Sequence, residues 1–157
     1  MKILALDLGT KTGFAFGDPL LGQQCTHGVK NFATKQHEGA GVRYLKFNHW
    51  VINLIRNEKP DIVLWEQVAA HKGTAAAHIY GGFQAQLMTA CEGLKVQYQG
   101  VPVGTIKKHA TGKGNADKAK MIEAAKAMGY SPQDDNAADA IHLYHYGADL
   151  FSGKLVA

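Results

Sequence analysis

An apolar strand that closes on an acid sets the terms for this chain. Residues 2–7 read Lys2-Ile3-Leu4-Ala5-Leu6-Asp7, and Gly9-Thr10-Lys11-Thr12-Gly13 follows at once. The apolar run predicts a strand, and the glycines predict a tight turn after it. Phe14-Ala15-Phe16 reads as a second strand and residues 25–32 as a third, so the chain opens as a β-meander. A carboxylate at the tip of a central strand costs free energy unless something pairs with it. Asp7 therefore has to be accounted for.

The rest of the chain alternates helix and strand. Residues 39–58 predict a helix with apolar residues on two faces: Val42, Leu45, Ile52 and Ile55 on one, Phe47, Val51 and Leu54 on the other. Pro60-Asp61 punctuates, and Ile62-Val63-Leu64-Trp65 is a short, wholly apolar strand suited to the centre of a parallel region. Residues 74–92 form a second helix with Ile79, Phe83 and Leu87 at spacings of four, a stripe that suits either the core or a dimer interface. Residues 95–99 read as a short strand. Residues 116–128 read as a helix with Met121, Ala124, Ala125 and Met128 on one face, closed by Gly129. Residues 135–150 form the last helix, its stripe made by Ala137, Ala140, Ile141, Tyr144 and Ala148. This order predicts an α/β protein with a mixed five-stranded sheet, antiparallel at its start and parallel afterwards, flanked by helices. The 157 residues are the size of one domain, 1–157, with no linker or fixed-period repeat.

Bulk properties narrow the partners. No apolar run reaches the ~18–20 residues of a membrane span, and Asp7 comes too early for a signal peptide. Cys25 and Cys91 have neither metal-type nor disulfide-framework spacing, which predicts packed thiols in a reducing cytoplasm. The formal charge of +4 is modest, but its distribution is uneven. Lys107, Lys108, Lys113, Lys118, Lys120 and Lys126 face only Asp117 and Glu123 over that stretch. Such a segment suits a phosphate-binding surface.

Two further acids resist a structural explanation. Glu66 ends the strand Val63-Leu64-Trp65, as Asp7 ends the first. If the two strands are neighbours, both acids emerge at the carboxyl edge of the sheet, where α/β proteins place ligands. Two carboxylates there repel unless a cation lies between them. Asp134-Asp135-Asn136-Ala137-Ala138-Asp139 opens the last helix. Asp134 or Asp135 serves as a cap, but Asp139 lies past the first turn and is left over. Carboxylates from three separate elements can hold a pair of hard cations such as Mg²⁺, the arrangement that phosphodiester hydrolysis uses.

With these residues in place the chain resembles the RuvC family of Holliday-junction resolvases, within the RNase H-like superfamily. Leu4-Ala5-Leu6-Asp7-Leu8-Gly9-Thr10-Lys11-Thr12-Gly13 is similar to the family's first strand and turn. Glu66-Gln67-Val68 resembles its Glu-Gln stretch. Thr111-Gly112-Lys113-Gly114-Asn115-Ala116-Asp117-Lys118 resembles its glycine-lysine run, with Lys107 upstream. Asn136-Ala137-Ala138-Asp139-Ala140 resembles its final Asp-x-x-Asp-Ala. The resemblance implies metal ligation by Asp7, Glu66 and Asp139, with two Mg²⁺ per site and Mn²⁺ as a substitute. It implies phosphate contact or transition-state help from Lys118 and Lys107, and a homodimer acting on branched DNA. Compact members of this kind are frequent in bacteriophages, which would put the protein in a host cytoplasm.

Two departures carry expectations. Asn136 stands where the family commonly has an acid or a histidine, so Asp135 or Asn136 completes the metal set, or Asp139 alone suffices from this helix. After Val68 the chain reads Ala69-Ala70-His71-Lys72-Gly73 where the family often has an aromatic wedge. His71 and Lys72 are then the candidate DNA contacts, beside Lys107, Lys113 and Lys118, and a wider range of branched substrates is expected. Three other readings compete. An actin-like or sugar-kinase-like ATPase shares the Asp-x-Gly-Thr turn but needs a second domain and a second such motif, so no nucleotide cofactor is expected. A YqgF-type protein acting on RNA matches residues 4–15 but generally lacks Glu66-Gln67 and the glycine-lysine run. A non-catalytic nucleic-acid-binding relative would not need three surviving acids.

Overall fold

The computed structural model describes residues 1–155. Strands β1 (Ile3–Asp7), β2 (Lys11–Gly17) and β3 (Thr26–Asn31) form the opening meander. Helix α1 (Val42–Glu58), strand β4 (Ile62–Gln67), helix α2 (Thr74–Leu94) and strand β5 (Gln97–Pro102) follow. Helices α3 (Val103–Thr111), α4 (Lys118–Ala127) and α5 (Asp135–Phe151) complete the chain. The five strands lie in the order β3-β2-β1-β4-β5. β1 pairs antiparallel with β2 and parallel with β4, and β4 pairs parallel with β5. The expected mixed sheet is present.

Strand alternation divides the core into two layers. Ile3, Ala5, Ile62 and Leu64 pack against α3, α4 and α5. Leu4, Leu6, Val63 and Trp65 face the other way, onto α1 and α2. All eight are at most 5% exposed. One step further along each strand, the period of two turns Asp7 and Glu66 to the α5 side. The apolar run thus determines which layer both acids face.

Close approach of α5 to the sheet depends on glycines. A Cβ on Gly13 would lie 2.0 Å from the Asn136 carbonyl oxygen, and one on Gly147 would lie 2.6 Å from Leu64 Cδ1. Their absence lets the first and last turns of α5 rest on the strands.

Several boundaries differ from expectation. The strand expected at 95–99 starts later because Lys95 caps α2 in a left-handed conformation (φ 56°), its N–H donating to the carbonyls of Cys91 and Glu92. Helix α3 was not expected. It is short, its face toward the core made by Ile106 and the partly buried Ala110, and Gly112 ends it with φ 81°. Residues 39–41 are turn rather than helix. Along α1 one stripe is buried (Phe47, Val51, Ile55), while Leu45 is 56% exposed, so α1 is not buried on two faces. In α4 the Asp117 side chain caps by accepting from the Lys120 N–H at 2.9 Å, so the helix starts at Lys118, and it ends at Ala127 with Met128 exposed as its C-cap. In α2, Phe83 and Leu87 are fully buried within this chain, so they are unavailable as a dimer interface. Among the described residues, no helix is long and apolar enough to cross a membrane.

Candidate active site

Three elements converge at the carboxyl edge of the sheet. After Asp7 the chain turns sharply, held by Thr12, which is fully buried. Its Oγ1 donates to the Gly9 carbonyl at 2.7 Å and accepts from the Gly9 N–H at 3.4 Å. β1 and β4 run in register, Leu6 beside Trp65, so Asp7 and Glu66 follow as neighbours. The third element is the N-terminal end of α5. Asp134 caps it, accepting from the Ala137 N–H at 3.0 Å, and Gly13 lets the Asn136 main chain press onto β2. Asp139, one turn in, then meets the two strand acids.

The result is a tight anionic centre. One carboxylate oxygen from each of Asp7, Glu66 and Asp139 lies within 4.8 Å of the others, and all three side chains are half-buried. None takes part in the ion pairs found among the described residues. Burial, then the charges of Glu66, Asp139, Asp135 and Asp134, push Asp7 well above the usual carboxylate range. Burial also raises Glu66, while the nearby Lys107 ammonium draws it back down. Asp139 is pushed up to about 7 by burial and by Glu66 and Asp135, against the pull of Lys107 and Lys118. Three carboxylates held together and short of counter-charge fit a hard cation, which takes oxygen ligands of this kind. The trio could hold a metal ion.

The remaining candidates divide. Asp135 pairs with Lys118 at 3.1 Å, and its charge still acts on Asp7 and Asp139. The Asn136 side-chain amide donates to Asp134 Oδ2 at 3.2 Å. Asp135 is not among the three acids grouped at the centre. Lys107 lies half-buried on α3, near enough to act on Glu66 and Asp139. Lys118 is exposed at the first position of α4, and Lys113 and Lys72 are exposed on loops. His71 does not reach outward: its ring packs on Tyr80 with centroids 4.7 Å apart. A loop histidine followed by a helix tyrosine gives no local sign of that pairing.

Sequence reasoning also missed residues that build the site. The Tyr80 hydroxyl donates to the Glu66 carbonyl at 2.9 Å. Arg43 of α1 reaches Thr10 Oγ1 and Thr34 Oγ1, both at 3.4 Å, placing a cation beside the glycine turn. The turn residues Thr12 and Gly13 were legible only as part of a motif, without their contacts.

Known proteins resemble this chain over nearly its whole length. No family model matches the chain. It is 26% identical to the crossover junction endodeoxyribonuclease RuvC of Ruegeria pomeroyi, across 99% of this chain and 99% of that protein. It is 28% identical to the enzyme of the same name from Salinispora arenicola, across 91% and 85%. The RuvC of Thermus thermophilus, solved in complex with a Holliday junction substrate, superposes with a TM-score of 0.76 at 18% identity, covering 97% of each chain. The chain is RuvC-like. Its α/β fold is RNase H-like, with the sheet order and five helices described above. In this RuvC-like chain the carboxylate centre combines the ends of β1 and β4 with the first turns of α5.

Proposed function

We propose that this chain is a Mg²⁺-dependent endonuclease that cuts Holliday junctions and other branched DNA by phosphodiester hydrolysis. The observation that carries the proposal is the trio Asp7, Glu66 and Asp139, within 4.8 Å of one another and beside Lys107. Full-length similarity to proteins named crossover junction endodeoxyribonuclease supports the substrate class. The whole chain, 1–157, acts as one nuclease domain in the cytoplasm and works as a homodimer.

In this reading Asp7, Glu66 and Asp139 hold two Mg²⁺, with Mn²⁺ able to substitute. Bound there, the ions supply a water of lowered pKa and charge to offset the leaving 3′ oxygen. The chain's own residues do the rest. Lys107 draws Glu66 and Asp139 toward their charged forms, which favours uptake of a cation by the centre. Lys118 sits on Asp135 at 3.1 Å and is free to swing, because it is 83% exposed. On meeting DNA it exchanges that carboxylate for a phosphate oxygen and offsets charge in the transition state, an interaction typically worth ~2–4 kcal/mol. Asp135 thus stores the lysine rather than binding metal, and Asn136 secures the cap. Lys72, Lys113 and Arg43 contact the DNA backbone around this centre. His71, packed on Tyr80, does not serve as the wedge, which favours tolerance of several branched forms.

The test is a substrate panel. Labelled four-way junction, three-way junction, flap, linear duplex and RNA–DNA hybrid are incubated with and without Mg²⁺. Branched DNA should be nicked only with Mg²⁺, leaving 5′-phosphate and 3′-hydroxyl ends. Cleavage confined to hybrid or structured RNA would transfer the chain to the YqgF-type reading.

A further inference from the structure

We propose that Tyr80 is a positioning residue for the carboxylate centre: its hydroxyl fixes the strand end carrying Glu66 and so sets how tightly the trio takes up a divalent cation. The inference rests on the metal-binding reading of Asp7, Glu66 and Asp139.

Tyr80 lies in the second turn of α2 and is 8% exposed. Its hydroxyl donates to the Glu66 carbonyl at 2.9 Å and accepts from the Val68 N–H at 3.2 Å. In an extended strand the carbonyl of one residue and the N–H two residues on point to the same side. A neighbouring strand normally takes both. Here the pairing of β4 with β1 stops at Trp65, because β1 ends at Asp7 and the chain turns away. One phenol oxygen does what the missing strand would have done. It carries the order of the sheet one residue further, to the residue whose side chain joins the trio.

The ring is held so that the hydroxyl cannot drift. His71 packs on one side of it, tying the 68–73 loop back onto α2. Removing a group that orients a metal ligand typically costs about 10- to 100-fold in metal affinity. Tyr80 acts through the main chain, which leaves both carboxylate oxygens of Glu66 free for the cation.

The experiment titrates DNA-free protein with Mn²⁺, following loss of the free-ion paramagnetic resonance signal, and displaces it with Mg²⁺. Parent, Tyr80→Phe and Tyr80→Leu are compared, with metal-free melting temperatures alongside. Phenylalanine keeps the ring and loses the hydroxyl; leucine loses both. Both variants should bind Mn²⁺ roughly tenfold more weakly. Only the leucine variant should lose substantial packing and melt much earlier. In cleavage of four-way DNA, Tyr80→Phe should lower kcat at limiting Mg²⁺, recover at high Mg²⁺, and leave KM for DNA unchanged. A Tyr80→Phe variant that binds Mn²⁺ like the parent overturns the proposal, as does weakening seen only with leucine and in step with melting. A parent that takes up no Mn²⁺ sinks the metal-binding reading and this inference with it.

Discussion

Replacing Gly13 by alanine tests whether a single close approach assembles the site. Gly13 pairs with Asp7 across β1 and β2, and it lies under the first turn of α5. A Cβ there would stand 2.0 Å from the Asn136 carbonyl oxygen, 2.4 Å from its carbon and 3.1 Å from the Ala137 nitrogen. Real Cβ contacts essentially never fall below 3.0 Å, so a gap of at least 1.0 Å (3.0 minus 2.0) must open. The obstructing atoms are backbone, so no rotamer change relieves the contact. The far end of α5 is already tight, with Gly147 against Leu64. The first turn of α5 must therefore tilt away from the sheet and take Asp139 from Asp7 and Glu66. Overpacking of this kind costs about 1–3 kcal/mol of stability. The catalytic loss should be larger, since a misplacement of ~1 Å can cost about a hundredfold in rate. The assays are urea unfolding, Mn²⁺ uptake and single-turnover cleavage of labelled four-way DNA at saturating protein. Gly93→Ala is the control. It lies in α2 with nothing within 4 Å of the added Cβ, and it should leave cleavage unchanged while gaining about 0.5–1 kcal/mol. If Gly13→Ala were as stable as the parent and cut as fast, the approach of α5 to β2 would not be what brings Asp139 to the strand acids.

Further expectations concern charge. Asp7 and Asp139 are raised in the folded chain, Asp139 to about 7, so the native state binds protons that the unfolded state has released. Metal-free protein should therefore lose stability as pH rises from about 4 to about 7, and saturating Mg²⁺ should restore it above that range; thermal melting at each pH reads both effects. Lys107→Ala removes a cation that favours the charged forms of Glu66 and Asp139, so the acid limb of the pH–rate profile should shift to higher pH. Lys118→Ala should slow single-turnover cleavage with little change in junction affinity by gel shift. Its ion pair with Asp135 is exposed, so stability should change by less than about 1 kcal/mol.

How far the site was legible follows from what each residue depends on. Asp7 and Glu66 could be read because each closes an apolar strand, and the period of two puts both on one face without further information. Asp139 could be placed at a helix start, but the choice between Asp135 and Asn136 could not be made. Successive helix residues point ~100° apart, so the answer depends on how α5 seats on β2. That seating rests on Gly13, whose role exists only once the two elements meet. Tyr80 looks like any core tyrosine in sequence, because its two acceptor and donor partners lie beyond a loop. His71 was legible as a loop residue and not as a packing partner for the same reason. Helix α3 was hidden by its length: nine residues directly after β5 leave Ile106 and Ala110 as a stripe of barely two turns. Phe83 and Leu87 carried a stripe that fits core and interface alike, and only the packing of α2 against α1 decides for the core.

Asp7→Asn gives the most direct test of the central claim that Asp7, Glu66 and Asp139 carry metal-dependent cleavage. The substitution keeps shape and removes one charge from a centre that has too many. Binding and cleavage of four-way DNA are measured on the same preparation with saturating Mg²⁺. Junction binding should stay at the parent level with cleavage abolished; cleavage at the parent rate would mean that the reaction does not depend on the Asp7 carboxylate.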